Sequence, residues 1–142
     1  MSRRTARKHA FFLIFQIEFH AQYDSNAQTE LYFGDTENNI NETDAEYIKA
    51  AVSGTYARLS EIDAFISNNL SGWDIDRINK IDLALIRLAV YEIMYMPDIP
   101  ERVSINEAVE MAKAFGTDES YQFVNGILGN ILQIVTDGKT DG

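Results

Sequence analysis

The chain has 142 residues, enough for one domain with a real core or for two small halves packed together. Hydrophobic residues make up 46%, which argues against disorder, and the lack of cysteine excludes disulfides, thiolate metal sites and a cysteine nucleophile. The formal net charge is −10, yet Arg3, Arg4, Arg7 and Lys8 precede every acid in the chain, so a protein that should repel polyanions carries one cationic end.

That basic start leads into only six apolar residues, 10–15, before Gln16 and Glu18 intervene. This is too short for a secretion signal, and no run approaches the roughly 20 residues of a membrane span. A soluble cytoplasmic protein is expected.

Over 3–21, Ala6, Ala10, Leu13 and Ile17 recur at helical spacing. Arg3, Arg4, Arg7 and Lys8 fall on an arc roughly opposite, continued by Phe11 and Phe15. Guanidinium groups beside flat rings suit single-stranded nucleic acid, the former meeting phosphates and the latter bases. The other reading makes Phe11 and Phe15 a second buried face. His9 and His20 are eleven residues apart, about 16 Å along a helix, so they share no metal ion and read as surface or packing histidines.

Residues 23–41 form a polar connector with one short helical turn near 30–33. Thr43 with Glu46 has the capping-box pattern and opens a helix to about 53 through Ala45, Ile48, Ala51 and Val52. Gly54 either ends it or is carried through. Leu59, Ile62, Phe65 and Ile66 mark a third helix, broken by Asn68, Asn69 and Gly72. These segments predict an N-terminal helical bundle over 1–70, divided near Ser71 from a second bundle over 71–136 and a tail over 137–142.

From 81 to 96 only Asp82, Arg87 and Glu92 are charged. A helix apolar on nearly every side must be covered by others, which predicts a central pillar. Arg87 is then partly buried and paired, with Glu92 a candidate partner. Pro97 and Pro100 stop this helix and force an extended connection into Val103.

Ser104 with Glu107 forms a second capping box, opening an amphipathic helix that carries Ile105, Ala108, Val109, Ala112 and Phe115. Gly116 stands where a helix end favours a left-handed residue, and Thr117 or Asp118 can cap the next helix. There Tyr121, Val124, Ile127, Leu128, Ile131 and Leu132 share one face. Phe123 falls opposite, beside Glu119, Gly126 and Asn130, as a platform for a base or partner side chain, or as a lid on a neighbouring loop. Gly126 and Gly129 each cost a helix about 1 kcal/mol relative to alanine. Close backbone approach, by a neighbouring helix or by a ligand, would offset this.

Two distant histidines, no nucleophile-elbow sequence and no glycine-rich phosphate loop leave no enzyme chemistry to assign, and neither a cofactor nor a metal is expected. The architecture predicted is all-α: two packed three-helix bundles with about six to seven helices.

Three stretches, SRRTARKHAFFLIFQIEF, NKIDLALIRLAVYEIMYMPDIP and VSINEAVEMAKAFGTDESYQFVNGILG, resemble the NusB family of bacterial transcription antitermination factors, in the family's order and over nearly the whole chain. The resemblance implies an all-helical fold of two three-helix bundles. It also implies binding to boxA RNA of nascent ribosomal RNA transcripts, in complex with NusE, a small-subunit ribosomal protein, so that RNA polymerase reads through terminators. By alignment, the arginine-rich start corresponds to Arg3, Arg4 and Arg7, and the C-terminal RNA contact region to Glu119 and Phe123. Thr5 and Lys8 depart from the family pattern, in which the first position is basic and the second acidic, so the total charge near the RNA is kept while its placement changes; Lys8 stands in the RNA-binding set as part of the basic cluster. Phe15 and Asp82 are candidates for the partner surface. A protein-binding helical module without RNA contact, self-association as a homodimer through the first helix, and a stand-alone relative of the accessory domain of ribosomal RNA cytosine methyltransferases are the other readings.

Overall fold

The computed structural model describes residues 3–19, 24–34, 40–70 and 74–141; His20, Gly72 and the division near Ser71 lie outside them. Among the residues described, seven α-helices follow in order: α1 (Arg3–Phe15), continued by a 3-10 turn (Gln16–Phe19), α2 (Ser25–Gly34), α3 (Glu42–Ala57), α4 (Leu59–Ser67), then, after a 3-10 turn (Ile75–Arg77), α5 (Lys80–Tyr95), α6 (Glu101–Phe115) and α7 (Ser120–Asp141). Among the described residues there is no strand.

The apolar character of α5 sets the architecture. Leu83 through Val90 are all buried, so every side of this helix needs a neighbour. Among the described residues α1, α3, α4, α6 and α7 all pack against it. On one side α5, α6 and α7 each pack against the other two; on the other, α1 and α3 lie on α5 and on each other, with α2 against α3. The predicted all-helical architecture and central pillar are both present.

Gly54 is carried through α3, for a steric reason. A Cβ there would run into the ring and hydroxyl of Tyr91 on α5, so the missing side chain brings the two helices together.

Helix starts differ from the predicted ones. Asn41, not Thr43, caps α3, its Oδ1 accepting from the Asp44 amide at 2.9 Å. α2 runs ten residues rather than one turn; Asp24 Oδ1 accepts from the Ala27 amide at 3.0 Å. α6 begins at Glu101, with Pro100 in the N-cap position, its ψ of 137° still extended and no side-chain cap supplied. Ser104 is no cap, because its buried hydroxyl donates to Glu92 across the core.

Gly116 is not left-handed either: its φ is −93° and its ψ −165°. Glycine is required there for space, since a Cβ would collide with the Ser120 hydroxyl. That hydroxyl accepts from the Thr117 amide at 2.9 Å while Thr117 Oγ1 accepts from the Glu119 amide at 3.4 Å, a reciprocal cap at the head of α7. The helix then continues through Asp141, past the predicted end near 136.

Candidate nucleic-acid interface

The cationic end of α1 divides into two populations. Arg3, Arg4 and Lys8 are exposed. Arg3 stacks over the Tyr47 ring, 4.5 Å from its centroid. Arg4 forks onto Glu107 of α6, Nε to Oε2 at 2.8 Å and Nη2 to Oε1 at 2.9 Å, with its side chain still 68% exposed. The hydrogen bond from Arg4 holds the Glu107 carboxyl below its ordinary range, although burial works against that shift.

Arg7 does not belong with them, contrary to expectation. It is 4% exposed, and its guanidinium donates to both oxygens of Glu92, which is itself 1% exposed. Tyr47 and Ser104 donate to the same carboxylate, so one acid ties together α1, α3, α5 and α6. Burial, then the adjacent Glu92 charge, pushes the Tyr47 hydroxyl far above the usual phenol range, keeping it a donor. A side chain enclosed in this way cannot meet a phosphate. Arg87 also has partners other than the predicted one: it forks onto Asp63 at 2.8 and 2.7 Å and donates to Glu18 at 2.6 Å. With Glu92 committed to Arg7, Arg87 turns to the acids of α4 and of the 3-10 turn.

Between α1 and α6 lies a groove of about 380 Å³, lined by Arg4, Thr5, Lys8, Glu107, Met111 and Phe115 among others. Phe115 at its far end packs its ring against Phe11 and Phe12, centroids 5.5 and 5.6 Å away. The aromatic row continues from Phe11 to Phe15 at 6.2 Å and on to Phe19 at 5.0 Å. Phe11 is buried, Phe15 half-buried and Phe19 62% exposed. Phe11 thus takes the buried-face reading, whereas Phe15 leads outward.

Two hollows flank Phe123, which is half-buried against the core. One, of about 230 Å³, is lined by Arg77, Asn79, Asp82, Thr117, Glu119 and Phe123 among others. The other, of about 380 Å³, has Asn69, Leu70, Gln122, Gly126 and Asn130 around Phe123. Asp82 is 6% exposed, its Oδ1 has no hydrogen-bond partner, and burial raises its carboxyl above the ordinary range against the opposing effect of the Ser120 hydroxyl.

The two ends lie level with opposite ends of α5. Arg7 reaches Glu92 and Arg3 borders Met96 and Pro97, whereas Phe123 borders Asn79 and Asp82. From residue 82 to 92 a helix advances about 15 Å. The α1/α6 groove runs between the two ends from Arg4 and Lys8 to Phe115, two residues before Thr117, which lines the Phe123 hollow. Phe15 and Asp82 share the Phe123 end: Glu18, just beyond Phe15, pairs with Lys80 at 3.3 Å.

Spacing alone missed Arg77, an exposed cation at the Phe123 hollow, and the Met111 and Phe115 lining of the groove. The signal for Arg77 is a lone arginine in the acidic stretch before α5. Among the described residues, no three histidine, aspartate or glutamate side chains are grouped to hold a metal, and no helix is long and apolar enough to cross a membrane. His9 is a packing histidine: it is buried, its Nδ1 pairs with the Tyr32 hydroxyl, and burial, then Lys8, lowers its pKa.

Comparison with known proteins places this geometry. The model of the NusB family matches residues 4–133. The transcription antitermination protein NusB of Natranaerobius thermophilus is 42% identical over 131 residues, covering 92% of this chain and 94% of that protein. The solved structure of T. maritima NusB matches with a TM-score of 0.86 at 36% identity, covering 94% of this chain and 92% of that one. A crystal structure of antitermination factors NusB and NusE in complex with dsRNA matches with a TM-score of 0.81 at 26% identity, covering 93% of this chain and 96% of that one.

Proposed function

The chain belongs to the NusB family of transcription antitermination proteins, and from that premise we propose that it binds boxA RNA of nascent ribosomal RNA transcripts together with NusE. In this reading the complex helps RNA polymerase pass terminators. A structural neighbour is a NusB–NusE complex with RNA, which supports both partners.

The observation that carries the RNA reading is the exposed Arg4 and Lys8 in the α1/α6 groove, with exposed Arg3 beside them on α1 over Tyr47, and Phe123 beyond the groove's Phe115 end. Phosphates meet the cations, where counterion release drives binding. A base lies on Phe123, and Glu119 accepts from base or sugar donors beside it, as does Asp82, which lines the same hollow and in this reading moves from the partner surface to the RNA site. Arg7 contributes by holding α1 in place, not by touching RNA.

The protein partner takes the aromatic end. Phe19 is exposed next to half-buried Phe15, and an apolar pair at the edge of a core suits a protein interface more than a phosphate chain. RNA and protein surfaces therefore coexist.

Replacing Arg3, Arg4 and Lys8 by alanine tests the RNA reading. Affinity for boxA RNA should fall, and the slope of log K against log salt should become shallower by about 0.7 for each phosphate that the variant no longer neutralises. An unchanged slope removes these residues from the site. If the chain captures NusE equally well after ribonuclease treatment and RNA affinity is indifferent to the triple substitution, the protein-binding module is the correct account.

A further inference from the structure

Gly126 and Gly129 lie on the outward side of α7. Both are exposed, and a Cβ built at either one meets no atom within 4 Å. Glycine inside a helix weakens it relative to alanine, because the unfolded chain has more freedom to lose. Among the described residues nothing offsets that loss: no neighbouring backbone approaches either position, and neither ends a helix.

The two glycines differ in one respect. Gly126 lines the larger hollow beside Phe123, and Gly129 does not. Residues 123 and 126 are three apart and so share a helix face. Across the same ring the adjoining hollow ends on Asp82, buried and with Oδ1 unpartnered, an acceptor of the kind that a bound ligand's donor satisfies.

We infer that Gly126 is a positioning residue for RNA: its missing side chain lets a nucleotide whose base lies on Phe123 settle against the backbone of α7. A methyl group at 126 would stand in the wall of the hollow and lift the nucleotide from the ring. This rests on the RNA-binding reading above and specifies where one nucleotide sits.

The test uses the full chain, with melting curves and anisotropy titrations against labelled single-stranded boxA RNA, for Gly126→Ala, Gly129→Ala and Phe123→Ala. Both glycine variants should melt higher, by roughly 3–5 °C. Gly126→Ala should bind RNA about tenfold more weakly, a loss on the scale of one displaced base, while Gly129→Ala binds like the parent. A more stable variant that binds worse is an outcome no purely structural role for the glycine produces. Gly126→Ala with parental affinity, or with a lower melting temperature, overturns the inference, as does an equal loss in both glycine variants. Phe123→Ala separates the two readings: if it weakens binding while Gly126→Ala does not, only the inference fails; if the parent binds no RNA, the RNA-binding reading fails with it.

Discussion

Arg7 and Glu92, 85 positions apart, form a closed pair in which one guanidinium donates to both oxygens of one carboxylate at 2.9 to 3.1 Å. With Tyr47 and Ser104 donating as well, the charge is enclosed and hydrogen-bonded on all sides, which is what makes burying it tolerable. Removing either partner leaves the other charged and unpaired. Arg7→Ala or Glu92→Ala should therefore cost about 3–5 kcal/mol, read from urea denaturation. Arg7→Met with Glu92→Leu should recover only part of it, because the buried Tyr47 and Ser104 hydroxyls lose their acceptor. If the single substitutions cost no more than a surface pair would, the network is not holding the helices together.

Gly54 gives a second stability test. Gly54→Ala should destabilise the fold by about 1–3 kcal/mol, because the new methyl group overlaps the Tyr91 ring. Combining it with Tyr91→Leu should return part of the loss. A Gly54→Ala variant that melts higher, as an ordinary helix glycine would, contradicts the close approach of α3 and α5.

Asp82 makes stability depend on pH in a definite direction. Burial raises its folded-state pKa above 3.8, so as pH climbs from 3.8 through the folded value the native chain keeps a proton that the unfolded chain has lost. Stability therefore falls across that window and stays lower above it. Asp82→Asn should melt higher than the parent at pH 7, and the difference should vanish below about pH 3.8. A difference that is constant with pH would show that the carboxyl charge is not its source.

Phe19 tests the partner surface. It is 62% exposed, so Phe19→Ser removes apolar contact area at little cost to the fold. Binding to NusE, measured by calorimetry after ribonuclease treatment, should weaken about tenfold or more, while RNA binding by the chain alone stays unchanged. Parental NusE affinity would move the interface elsewhere.

Much of the fold was legible in the sequence because apolar periodicity is a local signal. The unbroken run in α5 demanded neighbours on every side, and it has them. Helix starts were less legible, because the actual start positions, Asn41 and Pro100, lie just ahead of serine and threonine patterns that look equally good, and only Asn41 supplies a side-chain cap. The basic cluster was half legible: spacing placed Arg3, Arg4, Arg7 and Lys8 together, but only the fold shows that Glu92 and Tyr47 enclose one of them while Glu107 pairs with another that stays exposed. Pairing across 85 positions leaves no trace in a helical wheel. The same holds for Arg87 and Glu92, whose partners lie elsewhere in the fold: Asp63 and Glu18 for one, Arg7 for the other.

The most direct measurement is a titration of the purified chain, alone and with NusE, against boxA RNA and a scrambled RNA of the same length at fixed salt. Tighter binding to boxA, strengthened further by NusE, is the predicted result. Equal affinity for the two RNAs, unaffected by NusE, would contradict the account.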